Sequence, residues 1–180
     1  GPVSQQTGDD SLIYTNSAMI DGVTLMLNYK PSESAALEST TGIGIAYTGM
    51  EGLNVGVAKE DNNTAAAGIE NTVMYATYAM DAFTIGIQKN DTDSESANGD
   101  TDFEAWGVSY AISEDVSVSY GSSTVSFEDT SKSDQEAQAI GVSWTNGSMS
   151  VTASRHDIDN VTGTATDDRD VTEVNLTFAF

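Results

Sequence analysis

The sequence predicts an all-β protein, a transmembrane antiparallel up-and-down β-barrel, and three observations carry this prediction. Apolar and polar residues alternate along segment after segment, as they do in strands with one apolar face. The predicted strands run about 9–11 residues, the length that a tilted strand needs to cross a bilayer. Tight turns alternate with long acidic connections, a pattern typical of an outer-membrane barrel.

Composition excludes several function classes. The chain has 180 residues, with 28 Asp+Glu against 6 Lys+Arg, one His, no Cys and a formal net charge of −22. Such a surface repels a phosphate backbone, so nucleic acid is excluded as a partner. The lack of Cys removes disulfides and thiolate sites. No apolar run approaches the roughly 18 residues of a membrane helix, so a helical span is excluded.

One template repeats along the chain: a strand that ends in an aromatic residue, a short turn, and a second alternating strand. Copies of it occupy 44–61, 77–91, 107–123 and 141–157, with a looser first copy at 11–30. The turn centres fall near Asp21, Glu51, Asp81, Asp115 and Gly147. A helix would group Leu53, Gly56, Val57 and Glu60, which do not form an apolar stripe, so the alternation favours strands.

Counting these segments gives about eleven strands. In chain order they are predicted at roughly 11–19, 22–30, 41–49, 52–60, 71–79, 82–90, 103–112, 115–125, 136–145, 148–157 and 170–180. The links from odd to even strands are tight. The links from even to odd strands are predicted to be long acidic loops, at 31–40, 61–70, 91–100, 127–135 and 158–170.

The two strand faces predict which side meets lipid. The face opposite the apolar one carries small neutral side chains, unlike the Lys/Glu-rich exposed face of a soluble sheet. Small polar groups suit a water-filled lumen, so we expect the apolar face to point outward. The predicted pore-lining residues are Asn54, Gln88, Ser117, Ser119, Thr152 and Asn175.

Charged and aromatic residues mark the two ends of the apolar face. An aromatic girdle at the headgroup layer is predicted because amphipathic rings favour that layer. Its members, in register beside the short turns, are Tyr47, Tyr78, Tyr110, Trp144 and Phe178. At the other end Lys59, Lys89 and Arg155 have outward parity. Long basic side chains there can reach lipid phosphates, and ordinary solvated strand ends are the alternative.

These residues resemble the Gram-negative general diffusion porins, particularly those of alphaproteobacteria. The resemblance rests on G-[VI]-[SA]-[YW] strand ends at 44–47, 107–110 and 141–144, on the tight turns, and on the terminal VNLTFAF. Phe180 at the end is similar to the outer-membrane assembly signal of that family. The resemblance spans essentially the whole chain, although each motif is short.

The resemblance implies a barrel larger than this chain. Porins of this type close with about sixteen strands, so residues 11–180 are expected to be the C-terminal part of one barrel, completed by an N-terminal part. Residues 1–10 then resemble the tail of the constriction loop, with Asp9 and Asp10 at the pore constriction. A homotrimer, contact with outer-membrane lipid and lipopolysaccharide, and location in the bacterial outer membrane are implied in the same way.

The function implied is a water-filled channel for passive diffusion of small hydrophilic solutes and ions. Acidic loops together with Asp9 and Asp10 predict a negative potential at the mouth, which favours cations. No enzyme is predicted: His156 lacks a nucleophile context, and Glu104 and Glu173 have no recognised cleft around them.

A secreted acidic calcium-binding β-sandwich adhesin, or surface-layer module, is the alternative from another class. Segment 91–100 alternates the oxygen ligands Asp91, Asp93 and Glu95 but lacks the glycine that an EF-hand loop needs at its sixth position. We therefore expect no resident cofactor, and calcium between the acidic loops is the one ion left open.

Overall fold

The protein is described by a computed structural model that covers residues 11–32, 37–64 and 68–179. Eleven strands form one sheet. They are β1 (Leu12–Ile20), β2 (Val23–Lys30), β3 (Leu37–Tyr47), β4 (Leu53–Thr64), β5 (Gly68–Met80), β6 (Phe83–Ser94), β7 (Thr101–Ala111), β8 (Val116–Phe127), β9 (Gln135–Asn146), β10 (Met149–Asp159) and β11 (Arg169–Phe178). A 3-10 turn, Val161–Gly163, lies between β10 and β11. None of the described helical residues forms a segment long and apolar enough to cross a membrane.

The strands follow one another across the sheet in sequence order, and every neighbouring pair is antiparallel. β1 and β11 are its two edges, and every residue of β11 is exposed. This arrangement confirms the predicted all-β up-and-down fold, with eleven strands in an open sheet. The β-sandwich alternative required two packed sheets, whereas all of the described strands lie in one.

Tight turns join the strands at one end, as predicted. The turns at Asp21-Gly22 and Asp81-Ala82 have only two residues between paired strands. Two-residue hairpins need a positive φ, which Gly22 supplies at 72° and Asp81 at 51°. The choice of residue at these turns therefore fixes the hairpin register.

At the other end the strands run farther than the sequence predicted. β4 continues to Thr64 and β5 begins at Gly68, so most of the predicted loop 61–70 is strand. β6 likewise continues to Ser94. The predicted strand ends followed the last apolar residue, but ladder hydrogen bonds join backbone groups and do not depend on apolar side chains. The hairpins therefore extend beyond the apolar zone.

The register divides the side chains into an apolar face and a polar face. One row of the apolar face contains Leu53, Tyr78, Ile85, Val108, Tyr120 and Ile140. Large side chains here stay exposed: Ile85 by 52% and Leu176 by 56%. The only buried hydrophobic side chain in the described ranges is Ala58. An exposed apolar surface of this extent requires an apolar surrounding.

Candidate pore wall on the polar face

The six residues predicted to line a pore all lie on the polar face. Four neighbouring strands, β8 to β11, each contribute one residue to a row of directly paired positions, which are Ser117, Ser143, Thr152 and Asn175. Ser119 stands one row away, beside Ser109 and Gly141. Asn54 and Gln88 occupy other rows of the same face, opposite Thr77 and Tyr75. Period-two alternation thus placed these side chains together, and their role as a pore lining stays a prediction.

Hydrogen bonds between neighbouring side chains order part of this wall. The hydroxyl oxygens of Ser117 and Ser143 are 2.8 Å apart. The Gln88 amide donates to Asn90 Oδ1 at 2.9 Å. Each of these groups keeps further donor or acceptor capacity, because hydroxyls and amides form more than one bond. The wall can therefore hydrogen-bond to water or to a polar solute along its length.

Tyr75 is a wall residue that the sequence analysis missed. A Cβ built on Gly56 would lie 2.5 Å from Tyr75 Cε1, so the ring lies directly over this glycine on the neighbouring strand. The Tyr75 hydroxyl donates to Asn54 Oδ1 at 3.2 Å. The signal was present in the sequence, since Tyr75 has polar-face parity and pairs with a glycine that leaves room for a ring.

Charged groups are sparse on the polar face. The Asp, Glu, His, Lys and Arg residues that it carries among the described side chains are Lys30, Glu60, His156, Arg169 and Glu173. The polar face of β5–β9 carries none. This wall is therefore close to neutral, although the chain has a net charge of −22.

Most acids of the strands lie on the apolar face instead, toward the long loops. They are Asp61, Glu70, Asp91, Asp93, Asp102, Glu104, Glu136, Asp157, Asp159 and Asp170. We call this group the acidic belt. It begins where the apolar side chains of each hairpin end, so its charge lies on the opposite side of the sheet from the candidate wall.

The three outward cations are paired with this acidic belt. Lys59 Nζ lies 2.6 Å from Glu70 Oε2, and Arg155 Nη2 lies 3.2 Å from Asp170 Oδ1. Lys89 Nζ lies 3.4 Å from Asp91 Oδ1 on β6 and also contacts a carboxylate on the neighbouring strand β7. Asp91 belongs to the same strand as Lys89, whereas cross-strand register supplies Glu70, Asp170 and, for Lys89, Glu104 at 3.5 Å. The sequence analysis identified none of these pairs. Exposed pairs of this kind contribute little stability each.

All five predicted girdle aromatics lie on the apolar face beside the short turns. The structure adds Phe83, whose ring centroid is 4.5 Å from that of Tyr110. Trp106 and Tyr120 stand nearer the acidic belt with ring centroids 5.5 Å apart. The apolar face therefore carries a second pair of aromatic residues farther from the short turns, whereas the five predicted residues and Phe83 lie beside those turns.

The loops after β8 and β10 contact each other. Asn160 Nδ2 donates to the Asp134 carbonyl at 3.0 Å. Within the first loop, the hydroxyl and the backbone N–H of Ser131 donate to Asp129 Oδ1 at 2.6 and 3.0 Å. These bonds stabilise the ionised carboxylate and lower the pKa of Asp129. The acidic loops are thus ordered by local hydrogen bonds.

The calcium candidates do not converge. Asp91 and Asp93 belong to β6, on the apolar face, and Glu95 accepts a hydrogen bond from the Gly68 backbone N–H at 3.0 Å. Across the described ranges, no three carboxylate or imidazole groups are placed to hold a metal ion. Calcium stays a prediction. Asp9, Asp10 and Phe180 lie outside the described residues.

Comparison with known proteins gives matches to porins. A family model described as Gram-negative porin matches residues 1–124. An anion-selective porin from Comamonas acidovorans has a TM-score of 0.79 at 13% identity, over 94% of this chain and 58% of that one. A porin refined at 1.8 Å resolution has a TM-score of 0.72 at 17% identity, over 98% and 64%. A loop-deletion variant of OmpT, an outer membrane protein of Vibrio cholerae, has a TM-score of 0.68 at 14% identity, over 93% and 62%. No curated protein matches the sequence.

These structural likenesses show the fold, and the chain spans less than two thirds of the length of each of these three proteins. The family model covers more than half of the sequence and includes the first seven hairpin strands. The chain therefore belongs to the Gram-negative porin family, whose barrels lie in the bacterial outer membrane.

Proposed function

We propose that the protein forms a water-filled outer-membrane channel for passive diffusion of small hydrophilic solutes and ions. One observation carries the proposal: a single sheet presents hydroxyl and amide side chains on one face and exposed apolar side chains on the other. A lipid-facing surface and a wet wall on opposite sides of one sheet are what a diffusion pore needs.

Completion of the barrel is part of this proposal. The edges β1 and β11 would leave unpaired N–H and C=O groups in lipid, each costing several kcal/mol. The three similar proteins are longer than this chain, which spans 58% to 64% of them. Strands in an N-terminal part of the same barrel would satisfy both edges, and a homotrimer embedded in lipid and lipopolysaccharide would be the assembled form.

A constriction formed with residues 1–10, including Asp9 and Asp10, has support at β2. Asn28 on the polar face is only 7% exposed, and among the described residues neither polar atom of its amide has a hydrogen-bond partner. Its cross-strand neighbours are Ile13 and Gly42, and a glycine leaves room for a backbone to approach. A buried amide without partners is costly, so this position suits a polar segment that crosses the wall.

A preference for cations is the finer part of the proposal, and it rests on the mouth. Acids of the long loops, such as Glu128 and Asp134, provide a negative potential there, which salt screens over about 8 Å at physiological strength. The wall is close to neutral and does not add to this negative potential, so we expect only a modest preference for cations over anions. One similar porin is anion-selective, so the fold does not fix the sign.

Thiol chemistry tests the wall directly, since the chain has no Cys. Ser119→Cys lies on the polar face and Val118→Cys, its matched control, on the apolar face. With the complete barrel in planar bilayers, a charged water-soluble thiol reagent should lower the conductance of Ser119→Cys and leave Val118→Cys unchanged. Equal responses, or no conductance in the unmodified protein, would refute the proposed channel.

The ion preference is measured in the same bilayers. With a salt gradient across the membrane, the reversal potential should have the sign that indicates preferential cation flow. Raising the salt concentration on both sides should reduce this preference, because salt screens the acids of the mouth. A reversal potential of the opposite sign would overturn the cation preference while leaving the diffusion channel intact.

A further inference from the structure

The loop between β10 and β11, residues 160–168, is folded by hydrogen bonds of its own. The Val161 backbone N–H donates to the Asp167 carbonyl at 2.8 Å, which joins the two ends of the loop. The Thr166 backbone N–H donates to Asn160 Oδ1 at 3.2 Å. We call this compact segment the mouth loop, because it lies at the end of the sheet that carries the long loops.

The mouth loop bends over the polar face of the neighbouring hairpin, β8–β9. The Thr162 backbone N–H donates to Gln135 Oε1 at 2.8 Å, and the Ser133 backbone N–H donates to the Gly163 carbonyl at 3.0 Å. A Cβ built on Gly163 would lie 2.9 Å from Phe127 Cε2. The register places both Gln135 and Phe127 on the polar face. The loop therefore lies on the same side of the sheet as the candidate wall.

These contacts carry the loop sideways across the sheet. It leaves from β10 and reaches Phe127 on β8, with β9 between the two strands. Neighbouring strands lie about 4.8 Å apart, so the loop projects about 10 Å across the polar face. Thr162, Thr164 and Thr166 are exposed on it. A loop that carries hydroxyl groups thus occupies the space in front of this end of the wall.

Backbone strain indicates that the contacts hold the mouth loop in one shape. Thr162 has a φ of 58° and Thr166 a φ of 68°, in the left-handed region that β-branched residues avoid. Such conformations persist only where the surrounding structure determines them. Both residues donate their backbone N–H groups to side-chain oxygens, and Lys132 Nζ lies 4.6 Å from the centroid of the Phe127 ring beneath the loop. The mouth loop is consequently a fixed rim.

We propose that the mouth loop limits the size of the solutes that enter the channel. The inference rests on the proposed diffusion function. A segment fixed across the polar face reduces the open cross-section of the lumen at the level of the long loops. A solute wider than the remaining opening is excluded whatever its charge, so neutral solutes separate this effect from the ion preference.

Two variants displace the rim. Replacing residues 162–166 by two glycines removes the turn that covers Phe127, and the bond between Val161 and Asp167 shows that the shortened chain can still close the hairpin. Gly163→Ala displaces the loop by a single methyl group, because this glycine has a φ of 81° and is in close contact with the neighbouring loop.

Gly147→Ala is the matched control for the point variant. Gly147 has a φ of 58°, so alanine is strained there as well, but among the described residues no atom lies within 4 Å of the added Cβ. This glycine belongs to the short turn between β9 and β10, at the opposite end of the sheet. The control therefore keeps the backbone strain and leaves the mouth loop in place.

Swelling of lipid vesicles that contain the complete barrel measures the entry of arabinose, sucrose and raffinose, which are neutral sugars of increasing size. The ratio of the raffinose rate to the arabinose rate does not depend on the amount of protein inserted. This ratio should rise for the shortened variant, rise less for Gly163→Ala, and stay at the value of the unmodified protein for Gly147→Ala.

An unchanged ratio in the shortened variant, or an equal rise in Gly147→Ala and Gly163→Ala, would overturn the inference while the channel stands. Failure of the unmodified protein to admit arabinose would refute the proposed function and this inference together.

Discussion

The two faces of the sheet differ most in how they carry charge. The apolar face has exposed aliphatic and aromatic side chains near the short turns and the acidic belt beyond them. The polar face carries hydroxyls, amides and glycines, with Glu60 and Glu173 as its described acids. The net charge of −22 is therefore a property of the outward surface and the loops, and it does not describe the candidate wall.

This difference shows why whole-chain charge is a poor guide to ion preference. An ion in the lumen is nearest to the side chains of the polar face, and charges beyond a Debye length are screened by salt. The acids of the belt also have partners: Lys89 lies within 4.0 Å of carboxylates on both β6 and β7. Selectivity is consequently set by a few wall and mouth groups.

The largest effect is expected from a charged side chain introduced on the apolar face. Ile85→Lys puts an ammonium group among the exposed apolar side chains, where lipid offers it no solvation. We expect a loss of about 1–2 kcal/mol in the free energy of unfolding, because Ile85 pairs with the girdle residue Tyr78 and so lies between the midplane, where Lys costs about 2–4 kcal/mol, and the interface, where it costs about 0–1 kcal/mol. Urea unfolding in lipid vesicles measures this loss.

Thr84→Lys is the matched control, because Thr84 is adjacent in sequence and lies on the polar face. Its ammonium group stays in water, so the free energy of unfolding should change by about 0.5 kcal/mol at most. Equal losses for the two variants would contradict the assignment of the faces.

A methyl group added at a glycine of the polar face tests how closely the side chains of this face pack. Gly56→Ala must displace the Tyr75 ring and break its hydrogen bond to Asn54, so it should destabilise the protein by about 1 kcal/mol. Gly107→Ala is the control, since its nearest atom would be 3.5 Å away. Urea unfolding compares the two, and a loss as large for Gly107→Ala would show that the Tyr75 contact is unimportant.

The smallest effect concerns the cations of the acidic belt. Lys89→Met leaves the carboxylates of Asp91 and Glu104 without their cation, whereas Lys59→Met breaks the ion pair with Glu70. Repulsion among the remaining acids should lower the urea midpoint more for Lys89→Met at low ionic strength. The difference should vanish at high salt because screening weakens these interactions. Equal midpoints at low salt would contradict the predicted repulsion.

Much of the site was predictable because strand alternation is strictly periodic. Ser117 and Thr152 were assigned to one face by parity alone, and their alignment in one row follows from the hairpin register that the turns fix. Trp106 has the same apolar-face parity as the predicted aromatics but was not predicted among them, because it does not stand beside a short turn. The loop boundaries were predicted too close to the apolar residues, as β4 and β5 show.

The sequence by itself determined the fold class, the strand order and the division into two faces, because period-two alternation and short turns are local properties. Only the tertiary structure decided which groups meet across strands. Lys59 meets Glu70, and Tyr75 covers Gly56, because the register joins residues that are distant in sequence. It also decided that the acids lie away from the candidate wall, since a net charge has no direction until each side chain is assigned to a face.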